Sequence, residues 1–574
     1  MITLEPRSRA ARPLAALAGI VAAATALGVA EILAAFVGPS SSPLTAVAGE
    51  VVDRLPRSVE QFGVRTFGSW DKPLLTAVIL LSLAAAAALA GVLAVRHISF
   101  GLGVIAVFAA VGAFATAARP DSTSFAVIPT LVGAGAAMGV LYALAARARE
   151  AGATLDAEAR ASQYSRRTAE PADVGGTAGS ASQLDSASQL GSASQPRPAS
   201  PGSAVEAEAP WLVGGGGTAS RRMFLTIAGG TAGAAVVAGG AGRLLARWRG
   251  VSDQRAAIRL PEPASPAPAV PAGARLDVRG ITPLTTPNDT FYRVDTAFVL
   301  PQVDPNSYRL RIHGRVGREL TLSYQDLLDL PLIERDITLA CVSNEVGGDL
   351  AGNARWLGVR LADLLDRVDP DPDADQLVGR SADGWTCGTP TAACRDGRDA
   401  MLAIGMNGEP LPIAHGFPVR MVVPGLYGYV SATKWLVDLE LSRFSDFDAY
   451  WVPRGWSREA PIKTTSRIDT PRQSDRVSGT ITVAGVAWAQ RRGITRVEVR
   501  VDEGPWGSAT LAAADSVDVW RQWRWEWDTA TVGAGRHTLE VRATDGAGAT
   551  QSGDYRPPAP NGSEGWHHIS VVVR

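Results

Sequence analysis

At 574 residues and 59.9 kDa the chain is too long for one hydrophobic core, since domains usually run to roughly 100–200 residues. A formal net charge of -1 and a pI near 6.6 exclude the basic surface that general nucleic-acid binding needs. Charged residues make up 19%, below the ~25% usual for soluble proteins, and mean hydropathy is +0.07, so membrane segments are expected. Three cysteines without a CxxC pair exclude a disulfide-stapled scaffold and offer no cysteine zinc site.

Four apolar runs open the chain: Pro13–Val37, Pro73–Val95, Gly101–Ala118 and Phe125–Ala146. Each approaches the ~20 residues that span a bilayer, where only a helix satisfies its own backbone. Residues 1–150 therefore read as a four-helix transmembrane region. Arg7, Arg9 and Arg12 precede the first run and Arg147 and Arg149 follow the fourth, which places both of these ends in the cytoplasm. Glu31 is the one acid in these runs; it reads as a polar residue facing the bundle interior or snorkelling, with a functional acid as the alternative. With His97 the only histidine here, the bundle is assigned no haem.

Residues 151–219 are rich in Ala, Ser, Gly, Gln and Pro and repeat SASQ from Ser180, Ser186 and Ser192, the composition of a disordered linker. A fifth apolar run follows within 220–246, headed by Ser220-Arg221-Arg222-Met223-Phe224-Leu225, which looks like a twin-arginine export signature. A plain pair of anchoring arginines is the alternative. Residues 247–275 read as an extended Pro/Ala-rich stalk.

From 276 to 470 the pattern is α+β, with a strand at Tyr308–Ile312 and a helix near Ser323–Leu328. Cys341 ends an apolar strand, 336–340, and enters the polar loop from Val342 to Gly348. A thiol presented this way can be a nucleophile, with His415 as its partner, a soft-metal ligand, or an inert buried cysteine. Residues 471–574 are all-β, with strands at Gly479–Ala487, Ile494–Val501 and Thr538–Ala543. Trp523, Trp525 and Trp527 alternate along one strand, as the core of a sandwich does.

From Thr285 to Arg574 the sequence resembles the sulfite oxidase-like molybdopterin oxidoreductases. The matching residues are the LACVSN stretch around Cys341, Gly352-Asn353-Ala354-Arg355-Trp356-Leu357-Gly358, Asn407-Gly408-Glu409-Pro410-Leu411-Pro412, His415-Gly416-Phe417-Pro418-Val419-Arg420, Val423-Pro424-Gly425 and Lys434-Trp435. The resemblance implies a molybdenum-molybdopterin cofactor (Moco). Cys341 would be the metal ligand, and Asn288, Phe291, Tyr292, His415, Arg420 and Lys434 would line the cofactor pocket. Tyr450 would be the active-site tyrosine, with a packed aromatic whose hydroxyl bonds elsewhere as the alternative. It also implies that residues 471–574 form an immunoglobulin-like domain of the dimerisation type, which would either support the active-site domain or join two copies as a homodimer.

Arginines that follow the metal cysteine in true sulfite oxidases are replaced by Glu345 and Val346, which counts against an oxyanion such as sulfite. No CxxCH occurs, so electrons require a separate cytochrome or quinone-linked partner. Cys387 and Cys394 are close enough in sequence for a disulfide, with two reduced thiols as the alternative.

The expected architecture is thus multidomain: an N-terminal α-helical membrane bundle, an α+β molybdopterin domain and an immunoglobulin-like β-sandwich. The expected function is oxygen-atom transfer on a small-molecule substrate by a multi-pass cell-membrane oxidoreductase with an extracytoplasmic catalytic domain. A sulfoxide reductase of the same fold, a non-catalytic receptor or scaffold, and a thiol hydrolase using Cys341 are the alternatives.

Overall fold

In the computed structural model, which describes residues 11–38, 41–54, 59, 71–119, 122, 124–168, 216–248 and 250–574, the apolar runs are helices. They are α1 (Ala11–Val37), α3 (Asp71–Arg96), α4 (Ile98–Ala117), α5 (Ile128–Thr168) and α6 (Gly216–Trp248), with a shorter α2 (Pro43–Arg54) after the first. Among the described residues, five helices are long and apolar enough to cross a membrane. Small residues let their backbones touch. A Cβ at Gly19 would overlap the Ala87 carbonyl, and one at Gly91 would overlap that of Ala15, so α1 and α3 cross in direct contact. Gly28 meets Ala235 and Gly242 meets Glu31, which seats α6 on α1 as well. Glu31 is half-buried and accepts a 2.6 Å hydrogen bond from the Ser42 hydroxyl, the partnered polar group that an acid in this setting needs.

Helix α5 continues to Thr168, so residues 151–168 are helical and not the disordered linker that composition suggested. Alanine and arginine are the commonest residues of that extension, and both favour helix. Residues 169–215 of that linker, with the SASQ repeats, lie outside the described residues, and 216–219 begin α6. In α6 the paired Arg221 and Arg222 are exposed, while Phe224 is fully buried against Leu14, Leu144 and Ala148.

The segment read as a stalk is extended but does not stand clear of the domain. Three residues after α6, Val251 is already buried with Phe291 and Trp356, and a short helix α7 (Ser252–Ala257) follows. Ser265 then pairs in parallel with Ile333.

Two sheets build the central unit. One runs β2 (Leu320–Ser323), β1 (Arg309–Gly314), β10 (Leu436–Ser442), β5 (Gln376–Ser381) and β6 (Thr386–Pro390). The other runs β3 (Leu332–Ala340), β4 (Ala351–Arg360), β7 (Met401–Met406) and β8 (Glu409–Pro410), with β9 (Arg420–Val422) paired to β7. Helix α8 (Tyr324–Leu328) begins on a capping box between Ser323 and Asp326, where composition placed a helix. Helices α9 (Leu361–Asp366) and α10 (Thr391–Arg395) complete the unit.

The last unit is a sandwich of two sheets. Strands β11 (Thr465–Thr470), β13 (Thr480–Trp488), β17 (Arg521–Asp528) and β16 (Thr510–Leu511) form one. Strands β12 (Arg476–Val477), β19 (His567–Val573), β18 (Gly535–Asp545), β14 (Ile494–Val501) and β15 (Gly507–Ser508) form the other. Trp523 and Trp527 are buried between them and Trp525 packs at the margin, so the alternating tryptophans are core.

Cys387 on β6 and Cys394 on α10 are separate, buried thiols, which corrects the expected disulfide. Burial pushes the Cys387 thiol up to about 11, so it stays protonated and unreactive.

Candidate active site

Strand β3 pairs with β4 along its whole length, from Leu332 opposite Val359 to Ala340 opposite Ala351. Cys341 is the first residue off that ladder. Its N–H still donates to the Leu350 carbonyl at 2.9 Å, and its own carbonyl accepts from Asn344 N–H at 3.1 Å. Asn344 also accepts from Leu350 N–H at 2.8 Å, closing the loop over Cys341. The Cys341 Sγ lies 2.8 Å from the Ser343 hydroxyl. Burial raises the thiol's pKa, while Ser343 and the Lys434 charge pull it back.

The sandwich grips this strand and loop. Gln490 Nε2 donates to the Thr338 carbonyl at 2.9 Å, and Trp520 N–H donates to the Thr338 hydroxyl at 2.8 Å. Arg467 donates to the Gly348 carbonyl at 2.7 Å and the Ser563 hydroxyl to that of Asn344 at 2.7 Å. Gly347, with φ +79, leaves room for the His567 ring, which a Cβ would overlap.

A wall of the site comes from Asn288, Phe291 and Tyr292. Phe291 meets Trp356 and His415 edge-on at 5.9 and 5.5 Å and stacks on Tyr292 at 5.2 Å. Gly352 is needed because a Cβ there would strike the Phe291 ring. Asn288 accepts from Asn407 Nδ2 at 2.8 Å and donates to Glu409 at 2.6 Å. Its carbonyl accepts from His415 Nε2 at 2.9 Å.

The cations converge here. His415 is buried, and burial together with the charges of Arg420 and Lys434 pulls its pKa down to about 4, so the ring is neutral at physiological pH. Arg420 lies 4.9 Å from the Trp356 ring and donates to the His415 carbonyl at 3.1 Å. Its buried Nε has no hydrogen-bond partner among the described residues. Lys434 sits 4.8 Å from the Trp435 ring and 2.8 Å from Asp295. Burial raises Tyr292 well above the usual phenol range and pushes Tyr427 up to about 12, and a thiolate at Cys341 would add to both shifts.

Tyr450 is placed differently. Its N–H donates to Thr386 on β6 at 3.0 Å, its ring meets Trp451 at 5.0 Å, and the Arg454 guanidinium lies 3.7 Å over it. Glu345 is exposed, so its charge is screened by water and does not oppose the buried cations.

Residues 297–451 match the family described as oxidoreductase molybdopterin binding domain, and residues 465–541 match bacterial Ig domain. The sulfite oxidase of Gallus gallus is 30% identical over 328 residues, which cover 47% of this chain and 69% of that protein. The chain belongs to the sulfite oxidase-like family of molybdopterin-dependent oxidoreductases. The mitochondrial sulfite oxidase of Homo sapiens is 30% identical over 350 residues, covering 50% of this chain and 62% of the human protein, so the chain spans less than two thirds of that relative. The structure of the sulfane dehydrogenase SoxCD from Paracoccus pantotrophus is similar at 25% identity with a TM-score of 0.41, covering 48% of this chain and 75% of that one.

The residues present fit the family's molybdenum-molybdopterin group. A soft thiol ends a rigid strand, two buried cations lie close by, and Arg420 Nε is a buried donor left for an acceptor outside the described protein atoms. Against a thiol hydrolase, His415 Nε2 is engaged by the Asn288 carbonyl at 2.9 Å and the Cys341 Sγ by the Ser343 hydroxyl at 2.8 Å, and not by one another. Tyr427, Asp295 and the sandwich residues Arg467, Gln490 and Ser563 escaped the sequence reading. Only Tyr427 left a local trace there, two residues after the matched Val423-Pro424-Gly425.

Proposed function

We propose that this family member is a membrane-anchored molybdenum oxidoreductase that moves an oxygen atom between water and a small substrate with transfer of two electrons. The observation that carries the reading is the pairing of the Cys341 thiol with the buried cations Arg420 and Lys434 in one site. When bound, the cofactor supplies a two-electron metal redox couple. Cys341 is the protein ligand to the metal. Arg420 and Lys434 bind the anionic and carbonyl groups of the pterin moiety. Because Nε2 donates to the Asn288 carbonyl, neutral His415 keeps Nδ1 as an acceptor. Asn288, Phe291 and Tyr292 would form the wall beside it. Tyr427 and Tyr292, kept protonated by burial, offer hydrogen bonds to a substrate oxygen near Cys341.

The five apolar helices support multi-pass anchoring in the cell membrane; an extracytoplasmic catalytic domain and a twin-arginine-type α6 belong to the same reading. Electrons pass to or from a separate cytochrome or quinone-linked partner, and a homodimer through the sandwich belongs to the same reading. The test is metal analysis of the full chain purified in detergent, followed by a screen of sulfite oxidation and sulfoxide reduction. About one molybdenum per chain is expected. Folded protein free of molybdenum overturns the proposal.

A further inference from the structure

The cofactor wall is tied to the membrane anchor by one side chain. Arg255 lies on α7, seven residues beyond the end of α6 at Trp248. Its guanidinium donates to the Pro410 carbonyl at 2.6 Å and to that of Leu411 at 2.8 Å, and pairs with Glu409 at 2.9 Å. Glu409 in turn accepts from Asn288 at 2.6 Å, and the Asn288 carbonyl holds His415 at 2.9 Å. The same guanidinium therefore reaches His415 twice: through Glu409 and Asn288, and through Leu411, two residues before the Ile413–His415 turn. Around it the chain is embedded. Val251 is buried with Phe291, and Leu260 fills the space that a side chain at Gly405 would need.

We infer that Arg255 is a positioning residue for the cofactor pocket, fixing Asn288 and His415 from the segment that emerges from the last membrane-length helix. An exposed ion pair with Glu409 alone would contribute little, since half of that carboxylate is in water. The two carbonyl contacts are what make Arg255 specific. The successive carbonyls of Pro410 and Leu411 face one planar fork of donors, a geometry that a lysine ammonium reproduces only in part. The inference rests on the functional reading above for the identity of the group that the pocket holds.

The test uses the full chain in detergent, with Arg255→Ala, Arg255→Lys and Glu409→Gln, and with Arg311→Ala as a control in an exposed pair with Glu319. Amide hydrogen exchange over residues 286–292 and 405–417 is measured on cofactor-free protein. Molybdenum and pterin retained per chain are followed during dialysis of loaded protein. Arg255→Ala is expected to speed exchange in both segments and cofactor loss by roughly tenfold, as for other groups that orient ligand-holding residues. Arg255→Lys should recover part of both effects, Glu409→Gln should show a smaller version, and the control none. Unchanged exchange, or unchanged retention, in a folded Arg255→Ala protein overturns the inference. A wild type that never holds molybdenum refutes the functional reading instead, and the exchange data then still decide whether Arg255 fixes the wall.

Discussion

Lys434 and Asp295 form an ion pair that is nearly withdrawn from water: Nζ lies 2.8 Å from Oδ2, with 11% and 5% of the two side chains exposed. Arg293 reaches the same carboxylate at 2.9 Å, and the buried Arg420 lies close enough to oppose the charge of Lys434. Arg293 and Lys434 share this one carboxylate and Arg420 adds its charge near Lys434, an excess that favours an anionic guest and sets how the site responds to pH.

Burial pulls Lys434 down to about 8 from 10.5, with Asp295 pushing the other way. Between these values the unfolded chain keeps a proton that the folded chain has lost, so the stability of cofactor-free protein rises across that window as pH rises. Cofactor retention should move oppositely, falling between about pH 7 and 9 as the cation disappears. Dialysis across that range checks it, and Lys434→Arg should flatten the curve. Retention independent of pH would contradict the role given to Lys434.

His415 gives the acid side. Its pKa is depressed from 6.5 to about 4, so the unfolded chain binds the proton first as pH falls. The contribution of neutral His415 is complete above 6.5 and is lost progressively toward 4, at most ~2–3 kcal/mol. Urea unfolding of cofactor-free protein at about pH 7 and 4.5 should show a smaller loss for His415→Gln than for wild type. Equal losses would remove His415 from the account.

Gly347→Ala tests the hold of the sandwich on the cysteine loop. A methyl group there would overlap the His567 ring, and φ +79 suits glycine. The variant should lose roughly 1–3 kcal/mol of stability and weaken cofactor retention, read by urea unfolding and metal analysis. A variant that is as stable and as well loaded as wild type would show that the loop is not clamped.

The two tyrosines differ in their surroundings. Tyr427 is buried and its hydroxyl is held protonated chiefly by that burial, whereas Tyr450 lies between Trp451 and Arg454 and its N–H meets Thr386. Tyr427→Phe should lower kcat/KM by roughly tenfold or more once a substrate is in hand, and Tyr450→Phe by less. The reverse order would restore Tyr450 as the active-site tyrosine.

What could be read from the sequence follows the range over which each feature is encoded. Strand β14 was legible to the residue, because alternation between two turns defines it. Cys341, His415 and Arg420 could be singled out as candidates because each sits inside a contiguous motif. The counter-ion of Lys434 was not, since Asp295 lies 139 residues away. Nor was the grip of Gln490 on Thr338, across 152 residues. Hydrophobic period reports which face is buried and not which distant group buries it. The helix over 151–168 was missed for a related reason: it continues the apolar helix α5 in polar, helix-favouring residues, and composition alone read these as linker.

The central claim is a bond from Cys341 to molybdenum, and X-ray absorption at the molybdenum edge measures it directly. Loaded wild type should show one more sulfur neighbour than loaded Cys341→Ser, the pterin dithiolene supplying the rest. Identical sulfur counts in the two proteins would contradict the account, and so would loaded Cys341→Ser that retains full activity.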